Sequence, residues 1–252
     1  MSFQNKVVLV TGGALGIGQA IAERFSNQHA TVIICDYLEH EMNETVNSLQ
    51  HKGFDVTGFL CDVRRKKDID RIVDDIYTKW GRIDVLVNNA GICKETSFLE
   101  ISENEWDQHF DVNVKGLFLM SQRVARKMIE HKTSGAIINL SSVNGIHAEA
   151  MQAHYNATKG AVNLLTMSMA IELAPYGIRV NALCPGFIKT GLTQAIIDNP
   201  SEISQYVKTI PMGRVGAPDE VAKVAVSLAS EDFSYVTGHC LVVDGGQLIK
   251  LA

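Results

Sequence analysis

Short apolar runs alternate along this chain with longer stretches in which apolar side chains recur every three or four residues. The short runs are rich in β-branched residues and are typical of buried strands, whereas the longer spacing is typical of helices that bury one face. We predict seven strands, at residues 7–10, 31–35, 56–60, 83–87, 136–140, 178–183 and 240–243. This alternation predicts an α/β fold, a doubly wound parallel sheet with helices on both faces.

The helical pattern is clearest over residues 39–51 and about 106–130, and a further helix that carries Tyr155 must end at Pro175. From about residue 190 to 216 the pattern becomes irregular, with Pro200 and Pro211 on either side of a short helical piece. A substrate lid explains this stretch, and so does an ordinary surface excursion.

Composition narrows the class of protein. No linker-like or repeated segment divides the 252 residues, so we predict a single domain over 1–252. The formal net charge of -5 argues against a nucleic-acid-binding protein. The five cysteines lack the spacing of a disulfide framework or a metal site. Because the chain shows neither a signal-peptide pattern nor an apolar run long enough to cross a membrane, we expect a cytoplasmic protein without a membrane partner.

A glycine-rich turn joins the first strand to the first helix, in the sequence Thr-Gly-Gly-Ala-Leu-Gly-Ile-Gly from Thr11 to Gly18. Glycine allows the backbone to turn sharply and to approach a ligand, and a helix start offers unpaired N–H groups to an anion. A tight turn without a ligand would look the same, because a lone motif of this kind is weak. The turn predicts a pyrophosphate site if other cofactor-binding residues accompany it.

Two carboxylates follow the next strands. Asp36 ends the second strand, where it can accept hydrogen bonds from an adenosine ribose and would repel a 2′-phosphate. Since neither Leu15 nor Tyr37 is basic, we favour NAD over NADP. Asp62 follows the third strand, where it could bind the adenine amino group or simply cap the next helix.

Further polar residues follow the fourth and fifth strands. Asn89, Ala90 and Gly91 suit a backbone that passes close to a cofactor, although an ordinary turn reads similarly. Ser141 and Ser142 end the fifth strand. The helix after it places Tyr155 and Lys159 four residues apart and therefore on one face.

Taken together, the Thr-Gly-x-x-x-Gly-x-Gly and Tyr-x-x-x-Lys motifs resemble those of the short-chain dehydrogenase/reductase family. The resemblance spans the whole chain, including Pro185-Gly186 and the closing Asp244-Gly245-Gly246. It implies a Rossmann-type seven-stranded sheet, a nicotinamide cofactor and a homotetramer built on the long helices and the last strand.

The resemblance also implies catalytic roles. Tyr155 would be the general acid/base, Lys159 would bind the nicotinamide ribose, Ser142 would bind the substrate oxygen, and Asn113 would hold a water in a proton relay. Ser142 rather than Ser141 matches the family's catalytic position. A neighbouring ammonium favours the phenolate, so we expect the pKa of Tyr155 to be lowered towards neutral pH.

The resemblance and the turn chemistry together give a set of expected ligand-binding residues. The expected cofactor-binding residues are Gly12, Leu15, Gly16, Ile17, Gly18, Asp36, Asp62, Val63, Asn89, Ala90, Gly91, Tyr155, Lys159, Pro185, Gly186, Ile188 and Thr190. The expected substrate residues are Ser142, Tyr155, His147, Gln152 and Phe187. His154 also flanks the expected pocket, although such a histidine is more often structural.

The predicted function is NAD-dependent interconversion of a secondary alcohol, such as a polyol, sugar or cyclic alcohol, and its ketone. Glu149 and Gln152 would suit a polyol or sugar, whereas Phe187, Ile188 and Leu192 would suit an apolar ketone. A 3-oxoacyl-carrier-protein reductase is the main alternative. A non-catalytic NAD(H)-binding sensor is a further one, disfavoured because all four catalytic residues are present.

Overall fold

The structure is a computed structural model that describes residues 2–250. Seven parallel strands form one sheet in the order β3-β2-β1-β4-β5-β6-β7. The strands are β1 (Val7–Thr11), β2 (Thr31–Asp36), β3 (Val56–Leu60), β4 (Val85–Asn88), β5 (Gly135–Leu140), β6 (Ile178–Pro185) and β7 (Cys240–Val243). The predicted doubly wound, seven-stranded sheet is confirmed.

Nine α-helices connect and follow the strands in the described chain, together with shorter turns. They are α1 (Gly16–Ser26), α2 (Glu39–His51), α3 (Lys66–Trp80), α4 (Glu103–Phe110), α5 (Leu117–Glu130), α6 (Ala153–Leu173), α7 (Gln194–Ile197), α8 (Pro200–Lys208) and α9 (Pro218–Ala229). Within residues 2–250 no helix is both long and apolar enough to cross a bilayer.

Two apolar layers hold the helices to the sheet. Because successive strand residues point to opposite faces, Val8 and Val10 pack towards α1, α2 and α9, whereas Leu9 packs towards α3, α5 and α6. Both faces of β1 are fully buried, which explains why it reads as a continuous apolar run rather than an alternating one.

Two predicted elements differ from the structure. The helix expected over about 106–130 begins at Glu103 and contains a π-helical segment, Asp111–Gly116, between α4 and α5. The fourth strand begins at Val85 rather than Ile83. Periodicity alone cannot locate a π segment, because its apolar residues still fall on one helix face.

The order of the strands reverses between β1 and β4, which lie side by side. In open α/β sheets a ligand binds beyond the carboxyl ends of the strands at such a reversal. The loop after β1 and the loop after β4 meet there, and both contain predicted cofactor-binding residues.

Candidate active site

The glycine turn is closely packed against the loop after β4. A Cβ on Gly12 would lie 2.7 Å from the Ala90 Cα, and a Cβ on Gly18 would lie 2.2 Å from the Gly12 carbonyl oxygen. Glycine is therefore required at both positions by backbone contact. The N-cap of α1 is Leu15, and it makes no side-chain capping hydrogen bond. The first N–H groups of α1 are thus left for an anion, which fits a dinucleotide pyrophosphate.

The loop after β4 is fixed to the same turn by hydrogen bonds. The Asn89 side-chain amide donates to the Gly12 carbonyl at 2.7 Å and to the Thr11 carbonyl at 3.1 Å. The Ala90 N–H donates to Thr11 Oγ1 at 3.1 Å. These contacts hold the two loops as one wall of a cleft at the sheet edge.

Asp36 is nearly buried and faces the glycine turn. Its two carboxylate oxygens accept hydrogen bonds from the backbone N–H groups of Ala14, at 3.0 Å, and Leu38, at 3.1 Å. Each carboxylate oxygen can accept further bonds, so the group retains acceptor capacity for ribose hydroxyls. The carboxylate is therefore rigidly placed beside the cofactor cleft.

Asp62 is differently engaged. Arg64 forms a two-pronged ion pair with it, with Nε–Oδ1 and NH2–Oδ2 distances of 2.9 and 2.7 Å. This hydrogen-bonded guanidinium lowers the pKa of Asp62. The adjoining Val63 is buried, and its side chain lies where a Cβ on Gly116 would contact it.

Asn113 lies in the π-helical segment and is buried by the loop after β4. Its Oδ1 accepts the Ile92 N–H at 2.8 Å, and its Nδ2 donates to the Ile92 carbonyl at 2.9 Å and to Thr158 Oγ1 at 3.1 Å. The side-chain amide thus helps to hold this loop, and the relay water expected at Asn113 stays a prediction. π segments of this kind are frequent at functional sites because they turn one side chain out of register.

Lys159 and Tyr155 lie beside the same cleft on α6. The ammonium group of Lys159 is 5.4 Å from the centre of the Tyr155 ring and donates to the Leu140 carbonyl at 2.7 Å. It would lie 3.6 Å from a Cβ on Gly91, so the lysine borders the loop after β4. The third predicted catalytic group, Ser142, lies close enough to Tyr155 to influence the pKa of its phenol. The structure therefore brings the three groups together beside the cofactor-binding loops.

The expected lowering of the Tyr155 pKa is wrong for this structure. Burial is the largest influence and raises the pKa of Tyr155 above its ordinary value, with Cys93 and Glu149 adding to the rise and the nearby Ser142 hydroxyl opposing it. Burial also lowers the pKa of Lys159 to about 8. Desolvation therefore dominates the pKa of Tyr155 in this structure. The phenol is consequently protonated at neutral pH.

His154 supports the site from behind and does not line the pocket. It is fully buried, its Nε2 lies 3.1 Å from Glu105 Oε1, and its Nδ1 accepts the Tyr155 backbone N–H at 3.0 Å. Its ring is stacked on His109, with 3.8 Å between the ring centres. The histidine therefore anchors the start of α6 through the residue next to it.

The segment after β6 forms the opposite wall of the cleft. The Thr190 methyl group would lie 3.5 Å from a Cβ on Gly16, so this threonine faces the glycine turn. Ile188 is buried and its side chain would contact a Cβ on Gly216. Pro185 ends β6, and Gly186 follows where a side chain would collide with Asp244.

The expected substrate residues separate into two groups. Phe187 is buried and its ring packs in a tilted arrangement against Tyr206 of α8, with 4.0 Å between the ring centres. Gln152 lies beside Cys93, whose Sγ is 3.6 Å from the Gln152 Oε1. His147 is exposed, and within residues 2–250 its side chain makes no hydrogen bond to another site residue. The structure therefore places Phe187 and Gln152, but not His147, against other groups of the pocket.

Sequence reasoning missed three residues near the catalytic groups. Burial raises the pKa of Cys93 to about 11, although the nearby Lys159 ammonium opposes the rise, so Cys93 remains a thiol. Its position two residues after Gly91, in the loop after β4, could have indicated that Cys93 lies near the site. Asn144 donates its backbone N–H to Ser142 Oγ at 3.1 Å. Tyr206 gave no signal, since it lies in the irregular region and only tertiary packing brings it to the site.

Comparison with known proteins agrees with this geometry. A family model described as enoyl-(acyl carrier protein) reductase matches residues 12–247. The chain belongs to the short-chain dehydrogenase/reductase family, which makes it an oxidoreductase.

Individual relatives carry several different names. The chain is 40% identical to 3-oxoacyl-[acyl-carrier-protein] reductase FabG of Thermotoga maritima, over 99% of this chain and 100% of that protein. It is 38% identical to oxidoreductase UcpA of Escherichia coli K12, over 97% and 95% of the two chains. A crystal structure of a gluconate 5-dehydrogenase from Burkholderia cenocepacia in complex with NADP and tartrate is 34% identical, with a TM-score of 0.94 over 99% of this chain and 98% of that one.

Proposed function

We propose that this protein is an NAD-dependent dehydrogenase that interconverts a secondary alcohol and its ketone. The observation that carries the proposal is the meeting of Ser142, Tyr155 and Lys159 beside the two loops that form the cofactor cleft. A hydroxyl, a phenol and an ammonium at one place can bind a carbonyl oxygen and exchange a proton with it.

A nicotinamide cofactor, when bound, supplies or accepts the hydride. In ketone reduction, Tyr155 gives its phenolic proton to the substrate oxygen while Ser142 donates a hydrogen bond to that oxygen. In alcohol oxidation the same phenol oxygen takes the hydroxyl proton back. Lys159 borders the ribose side of the cleft, and its positive charge stabilises the phenolate formed after proton donation. Asn113 acts by holding the loop after β4 in place.

Asp36 supports the preference for NAD. A carboxylate at this place can accept hydrogen bonds from the ribose hydroxyls, and it repels the additional negative charge of a 2′-phosphate. The gluconate 5-dehydrogenase structure holds NADP, so relatives of this fold also use the phosphorylated cofactor. We place the adenosine ribose against Asp36, the pyrophosphate at the start of α1 and the adenine beside Asp62 and Val63. Leu15, Ile17 and Thr190 complete the binding site.

A homotetramer and a substrate lid form part of the same proposal. Apolar side chains are exposed on two long helices, including Phe118 of α5 at 40% and Leu164 and Ile171 of α6 at 69% and 77%. Faces of this kind are typical of interfaces between subunits. The region at about 190–216 carries α7 and α8, and its Tyr206 contacts the expected substrate residue Phe187, which supports its action as a lid.

The proposed reaction is tested by following A340 with NAD⁺ and a panel of polyols, sugars and cyclic alcohols, with Tyr155→Phe as the decisive variant. We expect turnover by the wild type and a fall of about 10²- to 10⁴-fold in Tyr155→Phe, with cofactor affinity retained. His131→Gln, a substitution on the exposed turn after α5, serves as a control for altered surface chemistry. Wild-type turnover by Tyr155→Phe would contradict the mechanism.

A 3-oxoacyl-carrier-protein reductase is the second candidate, and the 40% identity to the Thermotoga maritima enzyme favours it. Such an enzyme needs a basic surface for the acidic carrier. The cations Arg123, Arg126 and Lys127 of α5 could form such a surface, although a solvated helix face explains them equally well, and Arg123 and Lys127 pair with Asp74. Reduction of acetoacetyl-carrier protein with NADPH faster than oxidation of any alcohol with NAD⁺ would favour this candidate, whereas NAD(H) binding with no turnover of either kind would indicate a sensor.

A further inference from the structure

A cluster of polar side chains lies between the catalytic serine and the lid. Its centre is the Asn144 side-chain amide, whose Nδ2 lies 3.3 Å from Glu149 Oε2, 3.0 Å from Gln152 Oε1 and 3.0 Å from Asn156 Oδ1. The other carboxylate oxygen of Glu149 accepts the Tyr206 hydroxyl of α8 at 3.1 Å. The cluster therefore extends from the backbone beside Ser142 to α8 of the proposed lid.

The cluster contains more acceptors than donors. An amide nitrogen carries two protons, yet three acceptor oxygens surround the one in Asn144. The Cys93 thiol, 3.6 Å from Gln152 Oε1, is a weak donor to one of these oxygens, and the Glu149 carboxylate keeps lone pairs that can accept a further proton. A substrate hydroxyl group can supply that proton, whereas a carboxylate cannot because it only accepts.

The cluster also adjoins the reacting groups. Ser142 Oγ donates to Asn144 Oδ1 at 3.2 Å and accepts the Asn144 backbone N–H at 3.1 Å. The charge of Glu149 also contributes to raising the pKa of Tyr155 and of Cys93, so the carboxylate lies near enough to act on both groups.

The negative charge of Glu149 is not neutralised by a neighbouring cation. Within the described part of the chain, no lysine, arginine or histidine nitrogen lies within 4.0 Å of its carboxylate. Its two side-chain donors, from Asn144 and Tyr206, are both neutral. A substrate that carries its own carboxylate would meet this charge directly.

We propose that Glu149, with Asn144 and Gln152, forms a substrate subsite that selects neutral polyhydroxy compounds and rejects the corresponding sugar acids. This inference rests on the proposed alcohol–ketone reaction and specifies its substrate class. In this subsite the Glu149 carboxylate accepts a substrate hydroxyl one or more carbons away from the reacting carbon, and it repels an acid group at the same position.

The test compares neutral alditols with the matched aldonates, using D-glucitol against D-gluconate, ribitol against D-ribonate and xylitol against D-xylonate, each with NAD⁺. We expect the wild type to show a kcat/KM at least about tenfold higher for the alditol of a pair. Glu149→Gln should reduce that preference about tenfold, chiefly through a lower KM for the aldonate. A change of this size is expected when the repulsion between two unit charges about 6 Å apart in a partly solvated site is removed.

Two further variants separate charge from structure. Tyr206→Phe removes the hydrogen bond to the lid but keeps the aromatic stacking, so we expect an unchanged alditol-to-aldonate ratio even if both KM values rise. Glu44→Gln removes a carboxylate from the exposed face of α2 and should also leave the ratio unchanged. A ratio that changes as much in Tyr206→Phe as in Glu149→Gln would overturn the proposal, because Glu149 would then act only by holding the lid.

The remaining outcomes distinguish this inference from the proposed reaction. A wild type that prefers aldonates, or a Glu149→Gln variant with the wild-type ratio, overturns the subsite alone. Oxidation of cyclohexanol without oxidation of any alditol overturns the subsite and leaves the alcohol–ketone reaction standing. If NAD⁺ binds but no secondary alcohol of any class is oxidised, both proposals fail.

Discussion

Replacing Asp36 with asparagine would remove one negative charge from the carboxyl end of β2 while keeping the size of the side chain. In the wild type both carboxylate oxygens accept backbone N–H groups, at 3.0 and 3.1 Å, so the charge is held in one place. The side chain is also nearly buried, which reduces screening by salt. The substitution therefore tests electrostatic selection between the two cofactors at a fixed position.

The size of the effect follows from the charge and the distance. A 2′-phosphate bound about 4–6 Å from the carboxylate would experience a repulsion of about 1–3 kcal/mol per unit charge, for an effective dielectric between those of a protein surface and water. Removing it should raise kcat/KM for NADP about 5- to 150-fold. For NAD we expect a fall of about tenfold, because a neutral amide replaces a charged acceptor for the ribose hydroxyls.

The assay is the ratio of kcat/KM for NAD⁺ to that for NADP⁺ with one alcohol at constant ionic strength. Asp55→Asn is the matched control. Asp55 precedes β3 at the opposite edge of the sheet, where it accepts the Thr31 hydroxyl at 2.6 Å, so its removal should leave the ratio unchanged. A change of less than about fivefold in Asp36→Asn, or a wild type that already prefers NADP, would refute the electrostatic reasoning.

Three further predictions concern the loop, the buried ammonium and the subunit interface. Gly18→Ala places a methyl group against backbone and should weaken NAD binding by at least about tenfold in a fluorescence titration, whereas Gly191→Ala, which meets open space, should not. Because burial lowers the pKa of Lys159 to about 8, the unfolded chain holds more protons at this residue between pH 8 and 10, so the group makes stability rise with pH. Urea unfolding of the cofactor-free wild type should therefore show a free energy of unfolding that rises by about 2 kcal/mol more between pH 7.5 and 9.5 than that of Lys159→Met. Equal pH dependence in the two proteins would contradict this prediction. Ile171→Glu should dissociate the proposed tetramer, seen as a smaller mass in sedimentation, and an unchanged mass would place the interface elsewhere.

Much of the site could be predicted because it follows strand ends. Asp36, Asn89 and Ser142 come directly after or at the end of predicted strands, and parallel strands bring their carboxyl ends to one edge of a sheet. Tyr155 and Lys159 share a helix face through a spacing of four residues. Local periodicity and one topological rule therefore placed these groups at one edge of the sheet, whereas the resemblance to a known family supplied their catalytic roles.

Other features depend on contacts between distant segments. The expectation for Tyr155 was wrong because its pKa depends mainly on the surroundings that remove it from water, which a neighbouring motif residue does not reveal. The side-chain amide of Asn113 binds the Ile92 backbone from a π-helical segment, a contact that periodicity did not reveal, and its relay water stays a prediction. Sequence position left open whether His154 lines the pocket or is structural, and the tertiary structure buries it against Glu105.

The amino-acid sequence by itself determined the order of strands and helices, the glycine turn and the residues that carry the chemistry. These properties depend on side-chain periodicity, on backbone freedom and on spacing within single elements. Only the tertiary structure decided that Glu149 meets Tyr206 across 57 residues of chain and that Asn144 is shared among three acceptor oxygens. The physical reason is that charge, burial and hydrogen-bond partners are set by which segments fold against each other, and these quantities determine the proposed choice of substrate.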